Sequence, residues 1–433
     1  MTAIRGSPGE LRTAVPTGLM RILWVKAGKL LPVDTGGRIR SFNILRHLAA
    51  RNDVTLWSYY FGARDPEYEK ALGRELPGAV AMYAGRGRSE PGTGAVTQVL
   101  DYARGLPGTI PFAVSKFTSA EVRARIAQFL REQRPDVAIC DFLAASLTMP
   151  HAPGVPTVLF QHNVESALWA RQARHEANLL KRAAFTIEAV KMRRYEARAL
   201  RRFDRVIAVS DNDRRLMTEM APQCPIDVVP TGVDVRSYGE AAGLEPTGQV
   251  VLFLGSMDWE ANVDGVRYFC RDVWPRVRAA VPDALFRIVG RNPDPVVTRL
   301  ASDSIEVTGG VPSVIPYLGN AAVMVVPLRI GGGTRLKIYE AMAAGRAIVS
   351  TTVGAEGLEV NDGEDIMIAD TSVDFAAAVV SVLQSPELRR RLSAAASTTA
   401  ARHDWSAIAS RFESVLAKAV ARESAPEVVA SGV

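Results

Sequence analysis

The stretch "PLRIGGGTRLKIYEAMAAGRAIV", residues 327–349, places three consecutive glycines between an apolar run and a helix-forming segment. The apolar run that leads into the glycines, "AVMVVPL" (322–328), has the length and composition of a buried strand. The pattern after the glycines predicts a helix over about 334–344, which Gly345 would end. The stretch is therefore a strand–loop–helix unit, and "RAIVST" (346–351) is a candidate for the strand that follows it.

The same alternation of short apolar runs and helical stretches covers most of the chain. Candidate strands in the first half are 21–25, 54–60, 136–140, 156–163, 205–210 and 226–232. Those in the second half are 250–256, 284–290, 304–310, 322–328, 346–351 and 365–370. Residues 239–249 are rich in glycine, have no periodicity and indicate a linker. The pattern predicts an α/β protein of two doubly wound, Rossmann-like domains that face a cleft, because such sheets bind ligands beyond the carboxyl ends of their strands.

The domain boundaries follow from the two series of strands. We expect an N-terminal domain at 21–238 and a C-terminal domain at 250–402. A helix at 403–421 is expected to pack back on the N-terminal domain. Residues 1–20 lack the apolar block of a signal peptide and 422–433 are polar, so we expect both to be disordered tails.

Composition narrows the class of protein. The chain has 433 residues, of which 48% are hydrophobic, enough for two or three domains with full cores. No run of roughly eighteen apolar residues occurs, so no membrane-spanning helix is expected. Cys140, Cys224 and Cys270 are widely spaced, which favours free thiols in a reducing cytoplasm over disulfides or a metal site. We expect no metal and no cofactor.

The positive charge of the chain is concentrated in one segment. Eleven Lys and Arg residues but only four acidic residues lie within 168–205, and this local excess accounts for the whole net charge of +6. A solvated helix face is one explanation, and attraction to anionic lipid headgroups, at roughly 1 kcal/mol per cation near a surface, is another. Nucleic acid is not expected as a partner, because no nucleic-acid-binding motif accompanies the charge.

Two glycine-rich loops lead into predicted helices, one in each domain. One is 331–333, and the other is Gly36 and Gly37, which precede a helix that begins with Arg38. Exposed backbone N–H groups and the partial positive charge of a helix N-terminus suit a phosphate. Each loop also fits a turn that merely requires glycine, and neither matches the Walker A or GxGxxG pattern. Two such loops in separate domains favour one anionic ligand in the cleft.

Two further side chains are candidates for a functional site. Glu340 lies in an otherwise apolar helix, three residues after Lys337. It is either the surface partner of that lysine or an acceptor for two hydroxyls, such as a ribose diol. His162 follows a predicted strand in "VLFQHNVES" (158–166), a place where a single histidine is more often structural than catalytic.

From about residue 21 to 420 the sequence resembles the family 4 glycosyltransferases of the GT-B fold. The strongest match is the ordered series "LGSMDWEANVDG", "RIVG", "TGGV" and "YLGNAAVMVVPLRIGGGTRLKIYEAMAAGRAIVSTTVGAEGL". "QHNVES" and "MRRYEARALRRFDRVIAVS" resemble a bacterial branch associated with cell-surface polysaccharide. The resemblance implies metal-independent transfer of a sugar, with retention of configuration, from a uridine or guanosine diphosphate sugar to a glycan or lipid-linked acceptor. We expect a cytoplasmic enzyme in peripheral contact with the inner face of the cell membrane through 168–205.

The resemblance also implies roles for particular positions. Glu340 matches the second acid of the family's Glu-x7-Glu motif, which holds the ribose diol, and His162 falls where the family places a histidine beside the donor sugar. Catalytic roles are expected for His162, Arg335 and Lys337. Nucleotide-sugar-binding roles are expected for Gly36, Gly37, Arg38, Gly255, Ser256, Gly309, Val311, Gly332, Gly333, Thr334, Leu336 and Glu340.

Three positions depart from the family's pattern. Gly332 stands where the motif's first glutamate reads hydroxyls of the donor sugar, so the resemblance does not give the sugar. Ser256 and Ala261 replace the arginine and lysine that neutralise the leaving diphosphate. We hypothesise that Arg335 or Lys337 supplies this charge. Residues two apart diverge by roughly 200° around a helix, so only one of the two is expected to do so.

Two other functions fit the same architecture. A nucleotide-sugar epimerase would have added catalytic acids in the cleft and would turn over without an acceptor. A non-catalytic nucleotide-sugar-binding protein, which the lost glutamate and basic pair favour, would bind nucleotide without releasing diphosphate. A nicotinamide dehydrogenase is not expected, because no GxGxxG follows a candidate strand.

Overall fold

The computed structural model describes residues 19–85, 108–176, 178–246, 248–330 and 335–423. Two parallel sheets organise these residues and confirm the predicted pair of Rossmann-like α/β domains. The first sheet consists of β1 (Arg21–Ala27), β2 (Asp53–Tyr60), β3 (Val80–Tyr83), β4 (Val137–Asp141), β5 (Thr157–Phe160), β6 (Arg205–Ala208) and β7 (Ile226–Val228). Its order is β3-β2-β1-β4-β5-β6-β7, and each neighbouring pair is parallel.

The second sheet belongs to the C-terminal half. It consists of β8 (Val250–Leu254), β9 (Leu285–Val289), β10 (Ile305–Gly309), β11 (Val323–Val326), β12 (Ala347–Ser350) and β13 (Met367–Ile368). Its order is β10-β9-β8-β11-β12-β13, again with parallel neighbours. In both sheets the first strand of the series is central and the order reverses beside it, which places a ligand-binding crevice at the carboxyl end of that strand.

Helices connect the strands. Those of the first half are α1 (Gly36–Ala49), α2 (Pro66–Glu75), α3 (Phe112–Ser115), α4 (Ala120–Gln133), α5 (Glu165–His175), α6 (Leu179–Leu200), α7 (Asp211–Met220) and α8 (Val235–Ala242). Those of the second half are α9 (Glu260–Tyr268), α10 (Trp274–Ala280), α11 (Pro295–Thr298), α12 (Ile315–Asn320), α13 (Leu336–Ala343), α14 (Ser372–Gln384), α15 (Pro386–Arg402) and α16 (Trp405–Glu423). A 3₁₀ turn at Leu143–Ala145 and a π turn at Phe269–Val273 complete the elements.

The observed elements differ from the sequence expectations in two places. Strand β3 has only four residues and lies at the edge of its sheet, so it is too short to show an alternating pattern. The expected linker at 239–249 is partly helical, because α8 continues to Ala242. Of the expected tails, 1–18 and 424–433 lie outside the described residues.

The C-terminal helix α16 lies against the first sheet. The Phe412 ring stacks on Trp24 of β1 with centroids 5.4 Å apart and meets Phe160 of β5 edge-on at 5.0 Å. At the start of α16, Trp405 lies so close to Gly232 that a Cβ on that glycine would be 2.5 Å from the indole ring. Contact this close leaves room for glycine alone at 232. The start of α16 is therefore packed tightly against the N-terminal half of the chain.

Two features are absent from the described residues. None of the described helices is long and apolar enough to cross a membrane. The described residues also contain no group of three or more His, Cys, Asp or Glu side chains that could hold a metal ion.

Candidate active site

A cavity of about 910 Å³ separates the two sheets and is lined by residues of both domains. The N-terminal side is formed by the loop after β1, the start of α1 and the residues that follow β5. The C-terminal side is formed by the loop after β8 and the start of α13. All of these segments lie at the carboxyl ends of parallel strands, where such folds bind ligands.

A buried network of charges forms the floor of the N-terminal side. Asp141, at the end of β4, accepts hydrogen bonds from Lys26 Nζ at 3.0 Å, Trp24 Nε1 at 3.0 Å and His162 Nε2 at 2.7 Å. Burial alone would raise the pKa of Asp141, but Lys26 and His162 outweigh it and hold the pKa below its usual range. The carboxylate is therefore ionised at neutral pH, and it fixes two neighbours that line the cavity.

His162 is neutral and fully hydrogen-bonded. Burial lowers its pKa to about 4, although Asp141 opposes the shift. Arg40 Nη1 lies 3.1 Å from Nδ1, and because a guanidinium only donates, Nδ1 accepts and Nε2 carries the proton donated to Asp141. Gly37 lies against the ring, since a Cβ there would be 3.7 Å from Nδ1. This arrangement orients the ring in the cleft and leaves neither nitrogen available as a base.

Lys337 supplies a cation to the C-terminal side. Its Nζ donates to Asn262 Oδ1 at 2.9 Å and lies 4.5 Å from the centre of the Phe253 ring. A Cβ on Gly255 would be 2.6 Å from Nζ, so the glycine makes room for the ammonium. Asn262 Nδ2 in turn donates to the carbonyl of Ser256 at 2.7 Å, which ties the lysine to the loop after β8. Lys337 thus lies beside 256 and 261, where the family pattern expected its basic pair.

The environment of Lys337 is unusual for a lysine. Burial lowers its pKa to about 7, with Arg335 adding to the shift and Glu340 opposing it. A bound diphosphate would raise this pKa again, because opposite charge favours the protonated form.

Arg335 is a second cation on the same side. Its guanidinium lies 5.2 Å from the centre of the Trp259 ring, and only 3% of the residue is exposed. Burial lowers its pKa to about 10, so it remains charged at neutral pH. Arg335 and Lys337 both line the cleft, because Arg335 precedes α13 and its direction is not set by helical geometry. That only one of them supplies charge to a diphosphate stays a prediction.

Two helix N-termini meet across the cavity. Helix α1 begins at Gly36 and α13 begins at Leu336, and a Cβ on Gly36 would lie 3.9 Å from Cδ1 of Leu336. Both ends carry partial positive charge and unpaired backbone N–H groups, which is the arrangement that binds phosphate.

Glu340 lies one turn further along α13, outside the lining of this cavity. Its carboxylate accepts a hydrogen bond from the Tyr238 hydroxyl of α8. Burial raises the pKa of Glu340, while Tyr238 and Lys337 oppose the rise. Glu340 is therefore held by Tyr238, which lies on α8, the helix between the last strand of the first sheet and the first strand of the second.

Most of the predicted site residues lie around the one cavity. Those in its lining are Gly36, Gly37, Arg38, His162, Gly255, Ser256, Arg335, Leu336 and Lys337. Gly309, Val311 and Glu340 lie outside the lining. Gly332, Gly333 and Thr334 fall outside the described residues.

Several important side chains were missed by the sequence reasoning. Lys26 directly follows the buried run of β1 and Asp141 ends β4, and a charged residue directly after a buried run is a signal that could have found them. Asn262 and Tyr238 give no such signal, because each lies on a helix whose face is decided by tertiary packing.

Family models match both halves of the chain. One described as Glycosyltransferase Family 4 matches residues 35–237, and one described as Glycosyl transferases group 1 matches residues 248–385. The chain belongs to the family 4 glycosyltransferases. The two matched ranges correspond to the two sheets. Residues from both halves of this family 4 member line the cleft.

Curated relatives include two phosphatidyl-myo-inositol mannosyltransferases. That of Mycolicibacterium smegmatis is 30% identical over 216 residues, which are 48% of this chain and 55% of that protein. That of Mycobacterium tuberculosis is 32% identical over 240 residues, 52% of this chain and 62% of that protein. The chain thus spans little more than half the length of these relatives.

Solved structures share the fold at low identity. The Anabaena protein HepE in complex with UDP has a TM-score of 0.63 at 13% identity, covering 92% of this chain and 100% of that one. WaaG, a glycosyltransferase involved in lipopolysaccharide biosynthesis, has a TM-score of 0.56 at 14% identity, covering 91% and 99%. The likeness shows that the family 4 member has the GT-B fold.

Proposed function

We propose that this protein transfers a sugar, with retention of configuration, from a nucleoside diphosphate sugar to a lipid-linked acceptor in surface glycan or glycolipid synthesis. The observation that carries the proposal is the meeting of two helix N-termini and Lys337 around one cavity. The named activity of the mannosyltransferase relatives and the UDP bound to HepE support the choice of acceptor and donor class.

The chemistry follows from these parts. Departure of a nucleoside diphosphate develops negative charge, which preorganised N–H donors and a cation stabilise. The backbone at Gly36 and Leu336 provides the donors, and Lys337 and Arg335 provide positive charge.

Retention is proposed to proceed by attack on the same face as the leaving group. Of the carboxylates in the cavity lining, Asp34 is paired with Arg38 at 2.9 Å, and Asp258 is bonded to Ser256 and Asn292. Because both carboxylates are engaged by these partners, neither is a candidate for the nucleophile. The acceptor oxygen therefore bonds to the anomeric carbon as the bond to phosphate breaks, and its proton passes to the departing phosphate oxygen.

A thermal-shift screen over UDP- and GDP-linked sugars tests the proposal. We expect at least one to raise the Tm, because a ligand at 100 times its Kd stabilises the native state by about 2.7 kcal/mol. We propose that Glu340, one turn beyond the cavity lining, accepts the ribose hydroxyls of the donor. Glu340→Ala should therefore reduce this shift, whereas Glu364→Ala, an exposed acid of the same domain, should leave it unchanged. Release of nucleoside diphosphate should then require an acceptor. Absence of any shift across the screen would contradict a donor site, and turnover without acceptor would favour an epimerase.

The pH dependence of kcat/KM tests the role of Lys337. Because the pKa of Lys337 is about 7 and its protonated form is the useful one, kcat/KM should fall as the pH rises above 7. Lys337→Arg should flatten this limb of the profile, since arginine stays protonated. A profile that is identical in the two proteins would contradict the assignment.

We also propose contact between 168–205 and an anionic membrane. Helix α6 exposes Leu179, Leu180, Ile187 and Val190 among its basic side chains, with Leu180 84% exposed. Sedimentation with vesicles should show binding to phosphatidylglycerol but not to pure phosphatidylcholine, and binding should weaken with salt. Leu180→Ser should reduce it, while Val373→Ser, an exposed apolar residue of the other domain, should not. Protein that stays wholly in the supernatant at low salt would contradict the contact.

A further inference from the structure

A groove of about 710 Å³ lies between α5, α6 and α7, away from the catalytic cleft. Its lining is mainly small and apolar, with Ala170 of α5, Val190 of α6 and Leu216 of α7 as examples. Among the described residues that line it are three arginines, Arg174, Arg182 and Arg193, and no acidic residue. We call this feature the arginine groove.

The arginine groove is a neighbour of the cleft, and a small cavity, here called the passage, lies between them. The passage has a volume of about 50 Å³ and shares Val164, Ala167 and Leu216 with the groove. It shares Asn163 and Leu168 with the cleft cavity. The groove, the passage and the cleft therefore lie side by side and share lining residues, with Asn163 of the passage next to His162 of the cleft.

We propose that the arginine groove is the acceptor subsite, which binds the hydrocarbon chain and the phosphate of an anionic lipid. The inference rests on the proposed function, because it assigns a place to the acceptor of that reaction. The chain lies along the apolar wall, the phosphate contacts the arginines, and the polar end of the lipid points along the passage towards Asn163.

The combination of surfaces decides between classes of ligand. An apolar wall alone would fit any hydrophobic partner, and arginines alone would fit any anion. Together they match a molecule with one long apolar part and a phosphate, because guanidinium groups bind phosphate in a planar, bidentate manner and the wall removes hydrocarbon from water. The volume is also within the range of small-molecule sites. A free phosphate would leave the apolar wall unused.

The position of the groove agrees with a membrane source for the ligand. Val190 lines the groove and is 47% exposed, on the same helix as the exposed Leu179 and Leu180. A lipid is therefore able to enter from the surface proposed to contact the membrane, without detaching into water.

Calorimetric titration with dodecyl phosphate below its micelle concentration tests the subsite. The wild-type protein should bind dodecyl phosphate at least about tenfold more tightly than inorganic phosphate, because the chain adds apolar burial. It should also bind dodecyl phosphate more tightly than dodecyl maltoside, which has the same chain and no charge. Equal affinity for inorganic phosphate would overturn the proposal in favour of a simple anion site.

Two variants localise the binding. Ala170→Trp fills the groove and should weaken dodecyl phosphate binding by about tenfold or more, whereas Ala183→Trp, on the exposed part of α6, should not. The double variant Arg182→Ala, Arg193→Ala should weaken dodecyl phosphate and leave dodecyl maltoside unchanged. Unaltered dodecyl phosphate binding in either groove variant would overturn the assignment.

A nucleotide-sugar titration of the same variants separates this inference from the proposed function. Nucleotide-sugar binding should be unchanged in all of them, which also shows that they are folded. If nucleotide sugars bind and dodecyl phosphate does not, the subsite is wrong and the donor site stands. If dodecyl phosphate binds and no nucleotide sugar does, the groove is a lipid site and the proposed transfer is wrong.

Discussion

Lys337→Met should lower kcat for sugar transfer by about 10²–10³-fold, the loss that follows removal of one preorganised stabiliser of transition-state charge. Methionine retains most of the apolar stem of lysine, while the ammonium is lost together with its contacts to the Phe253 ring and Asn262. The effect should appear mainly in kcat, because the charge that Lys337 meets grows as the diphosphate departs. Steady-state kinetics with saturating donor measure it.

A matched control and a rescue sharpen this result. Lys70→Met removes an exposed lysine that pairs with Glu67 at 3.2 Å, and it should leave kcat unchanged. In the Lys337→Met background, Ser256→Arg returns a cation to the loop after β8 and should restore part of the rate. A Lys337→Met enzyme with near-normal kcat would show that Arg335 or the backbone donors carry the stabilisation instead.

The sequence was sufficient for the fold because its pattern is strong. Each expected strand overlaps an observed one, since buried parallel strands are continuous apolar runs bounded by polar segments. Of the two glycine loops, Gly36 and Gly37 lie in the cavity lining as expected, whereas 331–333 fall outside the described residues.

The cleft itself depends on contacts that no local pattern records. Asp141 and His162 are separated by 21 residues and Lys26 and Asp141 by 115, and only the adjacency of β1, β4 and β5 brings them together. Asn262 and Lys337 are 75 residues apart and meet because Gly255 leaves space between them. The sequence showed the loss of the family's basic pair and suggested Arg335 or Lys337 in its place, but it did not show that the Lys337 ammonium lies beside Gly255 and Asn262.

Asp141→Asn should destabilise the native protein by about 3–5 kcal/mol at neutral pH, the usual cost of removing one partner of a buried ion pair. Lys26 and Asp141 are 3.0 Å apart with side chains 9% and 0% exposed, so the ammonium would be left buried without its counter-charge. Urea unfolding measures the change, and Asp211→Asn, which breaks an exposed pair with Arg214, should cost less than about 1 kcal/mol.

The pH dependence of the destabilisation caused by Asp141→Asn identifies its cause. The pKa of Asp141 is lower in the native state than the roughly 3.9 of an unfolded chain, so the carboxylate contributes stability above about pH 4 and loses it as the pH falls towards the native pKa. The difference between wild type and Asp141→Asn should therefore be constant from pH 5 to 7 and shrink below about pH 4. If the difference in unfolding free energy stays constant below pH 4, the cause is instead a packing defect, because a change in side-chain shape does not depend on pH. Since the same carboxylate holds His162 in the cleft, the stability of the protein and the orientation of His162 depend on one buried charge.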